Sequence, residues 1–502
     1  MKKIYIILLL VLSFIVFQSC SDSKSKKNSI IVEDILNNSE SFYYIDFKNY
    51  PLKNKQLPIG IFDSGIGGLT VLDAIIKSDN FNNQSHSIEQ SGDGKIDFIN
   101  ESFIYLGDKA NMPYGEYSGN NKTDLLKEHI IKDVQFLLGN KYYSTSTSTI
   151  YESDKAPIKA IVIACNTATA YGKTDIENFI KTAGLNLKVI GVIGAGVRGA
   201  LENIGKDENA TIGIFATAGT VASNGYPNTV VEQKELLNYN GDIITFQQAG
   251  FGLAAAIDGE KDYLDNTLTS ISKSYRGPSF TNTNAIVDRA ILHRYNFDFS
   301  NNQILYNGSQ ENPTDIQINS VSNYIRYHVI SFLEKIKNSD AKTKLKSVIL
   351  GCTHYPFFEN EFNDVFKYAY NYSENGVFVY RDFMEAEIRL VDPAINTAKE
   401  LYSFLNSNNL FNDGNINDSK FYISVPNHAN KTIELKDKLN FTYNYKYGRN
   451  AGEIQEYVKI VPFSDSTISS DLMARLETEI PFTYSLIKNF TAANKLHSVE
   501  TK

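Results

Sequence analysis

Apolar residues in this chain come in short runs separated by longer amphipathic stretches. The runs lie at Ile59 to Phe62, Phe103 to Leu106, Ala160 to Ala164, Lys188 to Ile193, Thr211 to Phe215, Asp242 to Phe246 and Ser347 to Gly351. Runs this short with so little polar alternation predict strands buried on both faces. Between them, "DLLKEHIIKDVQFLL" and "VSNYIRYHVISFLEKIK" place apolar residues at helical spacing. Strands alternating with helices imply an α/β fold with parallel sheets, whose functional loops gather at the carboxyl ends of strands.

Three segments interrupt the alternation. Residues 80–98 are polar with glycine, 139–156 contain "STSTST", and 259–318 are Asn- and Tyr-rich with little periodicity. Residues 410–502 run on past the repeated pattern with "FYISVP", "YVKIVPF" and a helical end. They read as a C-terminal extension, a candidate added domain with no assignable role. Residues 21–56 are polar and lack sustained periodicity, which predicts a flexible tether into the folded body.

At 502 residues the chain is long enough for two or three domains. The net charge of −8 is spread along it without a basic cluster, so nucleic acid is not an expected partner. The N-terminus carries a basic "MKK", then Ile4 to Phe17, apolar except for Ser13, then "QSC". These 14 residues fall short of the ~20 needed to span a bilayer, and the pattern is that of a secretory signal. Cys20 directly after Ser19 makes it resemble a bacterial lipoprotein signal, with residues 1–20 as the signal and Cys20 as the lipidated residue. An ordinary signal peptide or anchor with an incidental cysteine is the alternative. On either reading the body lies outside the cytoplasm.

Only three cysteines occur, and two of them end look-alike segments, "AIVIACNT" (160–167) and "SVILGCTH" (347–354). Each is an apolar run, a small residue, a cysteine and two polar residues. In an oxidising compartment the simplest meaning of Cys165 and Cys352 is a disulfide. The neighbouring strand ends point elsewhere. "FDSGIGG" offers Asp63 and Ser64, "GDKANMPYG" offers Asp108 and Pro113 to Gly115, and "FATAGTVAS" offers Thr217 and Thr220. Backbone amides and short hydroxyl side chains at such turns suit a small carboxylate ligand. No Walker pattern appears, and "GVIGAGVRGA" alone is weak grounds for a dinucleotide.

With these pieces together the sequence resembles the glutamate racemases of the cofactor-independent aspartate/glutamate racemase superfamily. "PIGIFDSGIGGLTVL", "YLGDKANMPYG", "IVIACNTATA", "VIGVIGAG", "IGIFATAGTVASNGY", "ILGCTHYPF" and "LVDPA" occur in family order, over roughly residues 57 to 400. The resemblance implies two similar three-layer α/β domains facing each other across a cleft, with insertions and the extension added. The first would span 57–190, completed by about 360–405, and the second 191–358 with the insertion 259–318. Cys165 and Cys352 are then the acid/base residues, with Asp63 and His354 as their partners. Ser64, Pro113, Tyr114, Gly115, Asn166, Thr167 and Thr353 would contact substrate, with Thr217 and Thr220 near it.

The chemistry is self-consistent. Inverting an α-carbon takes a base on one face and an acid on the other. A thiol, with an ordinary pKa near 8.5, has both forms within reach of neutral pH. Neither a metal nor an electron-sink cofactor is required. Two departures touch substrate choice. "QAGFGLAAAIDG" places Asp258 where the family has a supporting glutamate, and Lys109 and Asn111 stand where Thr and Arg are common. Expected partners are a small amino-acid substrate and, through Cys20, a membrane; oligomeric state is left open, a homodimer included. Glutamate racemases supply D-glutamate for peptidoglycan inside the cell, which an exported relative would not readily do. Three functions remain: a glutamate racemase, a racemase for aspartate or another amino acid, and a lipid-anchored amino-acid-binding protein without turnover.

Overall fold

The computed structural model describes residues 28–89, 92–257, 259–464, 466–468 and 470–500. The signal at 1–20 with Cys20, and Asp258, lie outside the described residues.

Two sheets organise the chain. In sequence order the strands are β1 (Ile59–Asp63), β2 (Phe103–Gly107), β3 (Ala160–Ile163), β4 (Lys188–Gly191), β5 (Ala210–Ala216), β6 (Ile243–Ala249), β7 (Ile304–Gly308), β8 (Pro313–Ile318), β9 (Leu345–Gly351), β10 (Ser373–Glu374), β11 (Val377–Phe378), β12 (Met384–Val391), β13 (Lys420–Pro426) and β14 (Val458–Pro462). The first sheet has the order β14-β13-β2-β1-β3-β4 and the second β12-β9-β5-β6. All neighbours are parallel except β13 and β14.

Side chains alternate between faces along each strand. In the first sheet Ile59, Ile61, Phe103, Tyr105 and Val162 enter one core, while Phe62, Ile104, Leu106, Ile161 and Ile163 enter the other. The second sheet divides in the same way, with Val348 and Leu350 on one face and Ile212, Ile214 and Ile349 on the opposite one. Helices therefore cover both faces, which is why the strands read as apolar runs rather than alternating ones. The helix Thr123–Leu138 lies on the first sheet and Val321–Lys337 on the second, as the helical spacing predicts.

Several boundaries differ from those expected. The strand foreseen at Lys188 to Ile193 stops at Gly191, because Val192 opens the helix Val192–Leu201. The segment expected as a tether holds the helix Ile30–Asn37, which buries Ile31, Val32 and Ile35 against the first domain. Within the stretch assigned to completing the first domain, β12 instead joins the second sheet, and only the helix Pro393–Ser407 returns to the first core. The extension is not a separate domain: β13 pairs with β2 and carries β14 at the sheet edge. The insertion 259–318 contains the β7–β8 hairpin.

Candidate active site

The carboxyl ends of both sheets open into one cavity of about 570 Å³. Into it come the turns after β1, β2 and β3 from one side and those after β5 and β9 from the other. The two lobes touch at glycines. A Cβ on Gly219, in the helix Ala218–Ala222, would lie 2.8 Å from the Cα of Gly115, so the two segments come this close only because position 219 is glycine.

Asp63 ends β1 beneath the N-terminus of the helix Gly68–Ile76. Its Oδ2 accepts from the Gly65 N–H at 3.2 Å and the Gly68 N–H at 2.9 Å. Burial raises its pKa, and these hydrogen bonds oppose the rise without cancelling it. Cys165 follows β3 and caps the helix Asn166–Thr182, its Sγ accepting from the Ala168 N–H at 3.4 Å and lying 3.6 Å from the Ser64 Oγ. A helix N-terminus ordinarily favours a thiolate. Here burial, and after it the charge of Asp63, outweigh that effect and push the thiol up to about 12.

Cys352 sits at the matching place after β9, with its Sγ 3.6 Å from His354 Nδ1. Both cysteines are buried and free, so the disulfide alternative fails. Ser64, Pro113, Tyr114, Gly115, Asn166, Thr167, Thr217, Thr220, Thr353 and His354 line the same cavity as Asp63, Cys165 and Cys352. Thr217 also caps its helix, accepting from the Thr220 N–H at 3.4 Å, so capping and lining coexist.

Tyr114 is held from behind. Its hydroxyl lies 2.6 Å from Asp108 Oδ2 and 2.7 Å from Asp133 Oδ2, both buried. One hydroxyl proton serves two carboxyl groups only if one of them carries its own proton. Burial, with the Asp108 charge behind it, raises the Asp133 carboxyl well above the ordinary carboxylate range, the direction that favours the proton there. At Asn111, the position where the resemblance expects arginine, a buried guanidinium arrives from the extension: Arg449 Nη2 lies 3.4 Å from Asn111 Oδ1.

No protein-family model matches the chain. It is 24% identical over 354 residues to the glutamate racemase of Lactobacillus helveticus, covering 70% of this chain and 82% of that protein. It is 30% identical over 224 residues to the glutamate racemase of Fusobacterium nucleatum, covering 44% of this chain and 67% of that protein. The chain belongs to the glutamate racemase family. A solved glutamate racemase from Bacillus anthracis aligns over 73% of this chain and 88% of its own at 22% identity, with a TM-score of 0.40.

For this member of the glutamate racemase family, sequence reasoning missed several lining or supporting residues. Tyr226, fully buried, donates to Asn166 Oδ1 at 2.9 Å and so fixes that amide from the opposite lobe. Its signal was present, since "SNGY" closes one of the matched motifs. Thr70 Oγ1 reaches Gly67 O at 2.8 Å, tying down the turn after Asp63. Leu472, Arg475, Leu476 and Glu479 also line the cavity, from the extension, and nothing in their sequence marks them.

Proposed function

We propose that the chain racemises glutamate without a cofactor, using Cys165 and Cys352 as the two acid/base groups. One observation carries this reading. Two free cysteines, one beside a carboxylate and one beside an imidazole, end equivalent strands of two sheets that open on a single cavity. Family membership supports the choice of glutamate.

In the proposed reaction Cys352 takes the α-proton of the L-enantiomer and Cys165 delivers one to the opposite face. A Cys165 thiol pushed up to about 12 is protonated at rest, as that delivery needs. In the reverse direction Asp63, beside the sulfur and raised by burial, is the group able to share its proton. The main-chain N–H groups of the cysteine turns and the Thr217 and Thr220 hydroxyls are the available donors for a carbanion's charge. The test is a panel of single enantiomers of glutamate, aspartate and neutral amino acids, followed by loss of optical rotation without added cofactor. Glutamate should be converted fastest. Preference for another amino acid reassigns the substrate, and binding without turnover leaves the binding-protein reading.

We also infer that the protein is exported and anchored through a lipid at Cys20. The support is the basic head, the short apolar run and the cysteine after Ser19. Two acyl chains anchor stably where one does not. Intact mass should show an N-terminal diacylated Cys20, and an unmodified thiol there would remove the anchor.

A further inference from the structure

The C-terminal extension forms part of the cavity wall. Its helix Ser470–Glu479 packs Leu476, buried, with Leu472 and Met473 against the first sheet's core, and it brings Arg475 and Glu479 to the cavity. The start of the next helix, Pro481–Glu500, is fastened nearby: Thr483 Oγ1 donates to Asp73 Oδ1 at 2.8 Å. Asp73 belongs to the helix Gly68–Ile76, whose first turn holds Asp63. The helix that follows the wall residue and the acid/base carboxylate are therefore both tied to the helix Gly68–Ile76.

Charge gives this placement a meaning. Among the described residues that line the cavity, Arg475 is the only lysine or arginine, while Asp63, Glu116 and Glu479 are carboxyl groups. An amino acid with a carboxylate side chain carries net −1, and such a site offers it one permanent positive charge. Arg475 is ion-paired with Glu479, Nε to Oε1 at 2.8 Å, one helical turn away, and the pair is partly exposed to the cavity. A guanidinium stays charged at every working pH and can grip a carboxylate through two parallel N–H groups, so an arriving carboxylate can compete with Glu479 for it.

We propose that Arg475, supplied by the extension, binds the side-chain carboxylate of the substrate and makes the site selective for dicarboxylic amino acids. This rests on the racemase reading for the identity of the ligand. Arg475 is a substrate-binding residue here and takes no part in proton transfer.

The experiment uses the full chain and its Arg475→Gln, Arg475→Lys and Glu479→Gln variants, each checked for an unchanged melting temperature. Losing a charged hydrogen-bond partner corresponds to a KM for glutamate raised about 10- to 100-fold in Arg475→Gln, with kcat changed far less. Arg475→Lys should recover part of the loss, and Glu479→Gln, which removes a competing carboxylate, should lower KM about two- to five-fold. KM for any neutral amino acid the enzyme accepts should stay within about two-fold. An unchanged KM for glutamate in Arg475→Gln, or an equal rise for neutral substrates, overturns the proposal while the racemase reading stands. If the wild type turns over no amino acid, the racemase reading falls, and calorimetric binding of D-glutamate decides the rest. Binding that depends on Arg475 upholds the carboxylate site, and binding that is absent or indifferent to Arg475 overturns it.

Discussion

The ends of β3 and β9 are the same construction in two different electrical settings. Each delivers a cysteine from an apolar strand into the cavity, followed by polar residues that line it. After Cys165 a 17-residue helix begins, with the sulfur as its cap and the Asp63 carboxylate beside it. After Cys352 comes the short 3-10 turn Tyr355–Phe358, which leads into the helix Glu359–Asn371, and the sulfur's partner is the imidazole of His354. A carboxylate beside a thiol resists its ionisation, whereas an imidazole can take up or release a proton near neutral pH. The pseudo-symmetry of the fold therefore supplies two sulfurs but not two equal ones. The Cys165 side is built to hold its proton.

The hardest blow to this comparison is removal of either sulfur. Cys165→Ser and Cys352→Ser should each lower turnover by about 10²–10⁴-fold in both directions, since a serine hydroxyl does not ionise within the working range. The two losses should not multiply in the double variant, because both groups serve one reaction coordinate. A variant retaining near-normal turnover would make its cysteine structural.

Next in size is Asp63→Asn, which removes the second cause of the raised Cys165 thiol and leaves burial, the first. The thiol pKa should fall, so the alkaline limb of the L-to-D kcat moves to lower pH, with about a 10- to 100-fold loss of kcat in the reverse direction where Asp63 would share the proton, offset in KM because enantiomers have equal free energies. Full pH profiles in the two directions check this. Equal effects on kcat in both directions would erase the difference between the two sides.

Smaller again is Tyr226→Phe. It strips the donor from Asn166 Oδ1 and frees an amide beside Cys165. A loss of about 1 kcal/mol in kcat/KM, roughly five-fold, is expected, with the melting temperature little changed.

A last effect, on stability and not on turnover, concerns Asp392, which lines a pocket next to Cys352 and caps the helix Pro393–Ser407 through the Ala394 N–H at 2.8 Å. Burial raises this carboxyl to about 6. The native state then holds the proton more tightly than the unfolded chain does, so stability falls as pH rises from about 4 to about 6. Asp392→Asn keeps a cap and removes the titration. At pH 7 it should be more stable than wild type by about 1–2 kcal/mol, with no difference below pH 4. Urea midpoints at the two pH values measure it.

Much of this site could be read from the sequence because its parts are local. Asp63, Cys165 and Cys352 stand at or just beyond the ends of apolar runs, and strands buried on both faces advertise themselves. What stayed hidden depends on partners far along the chain. β12, "MEAEIRLV", alternates charged and apolar residues because it is an edge strand with a wet side, so it did not read as part of a buried sheet. β13 was visible as a strand, but nothing in "FYISVP" says that it pairs with β2. The helix Ile30–Asn37 has about two turns and three buried residues, too few to establish a period within a polar segment. "SDLMARLETE" reads as any surface helix, and only the fold brings Arg475 to the cavity.

The central claim is that two different groups act on opposite faces of the α-carbon, and isotope incorporation tests it most directly. Each pure enantiomer of glutamate is turned over in heavy water to a few per cent conversion, and deuterium at the α-carbon is then measured in product and in recovered substrate. With Cys352 removing the proton and solvent-exchanged Cys165 returning another, the product should be deuterated while the recovered substrate stays protiated, from either enantiomer. Equal deuteration of both pools would mean that one base serves both faces, and the assignment of Cys165 and Cys352 as separate acid and base would be wrong.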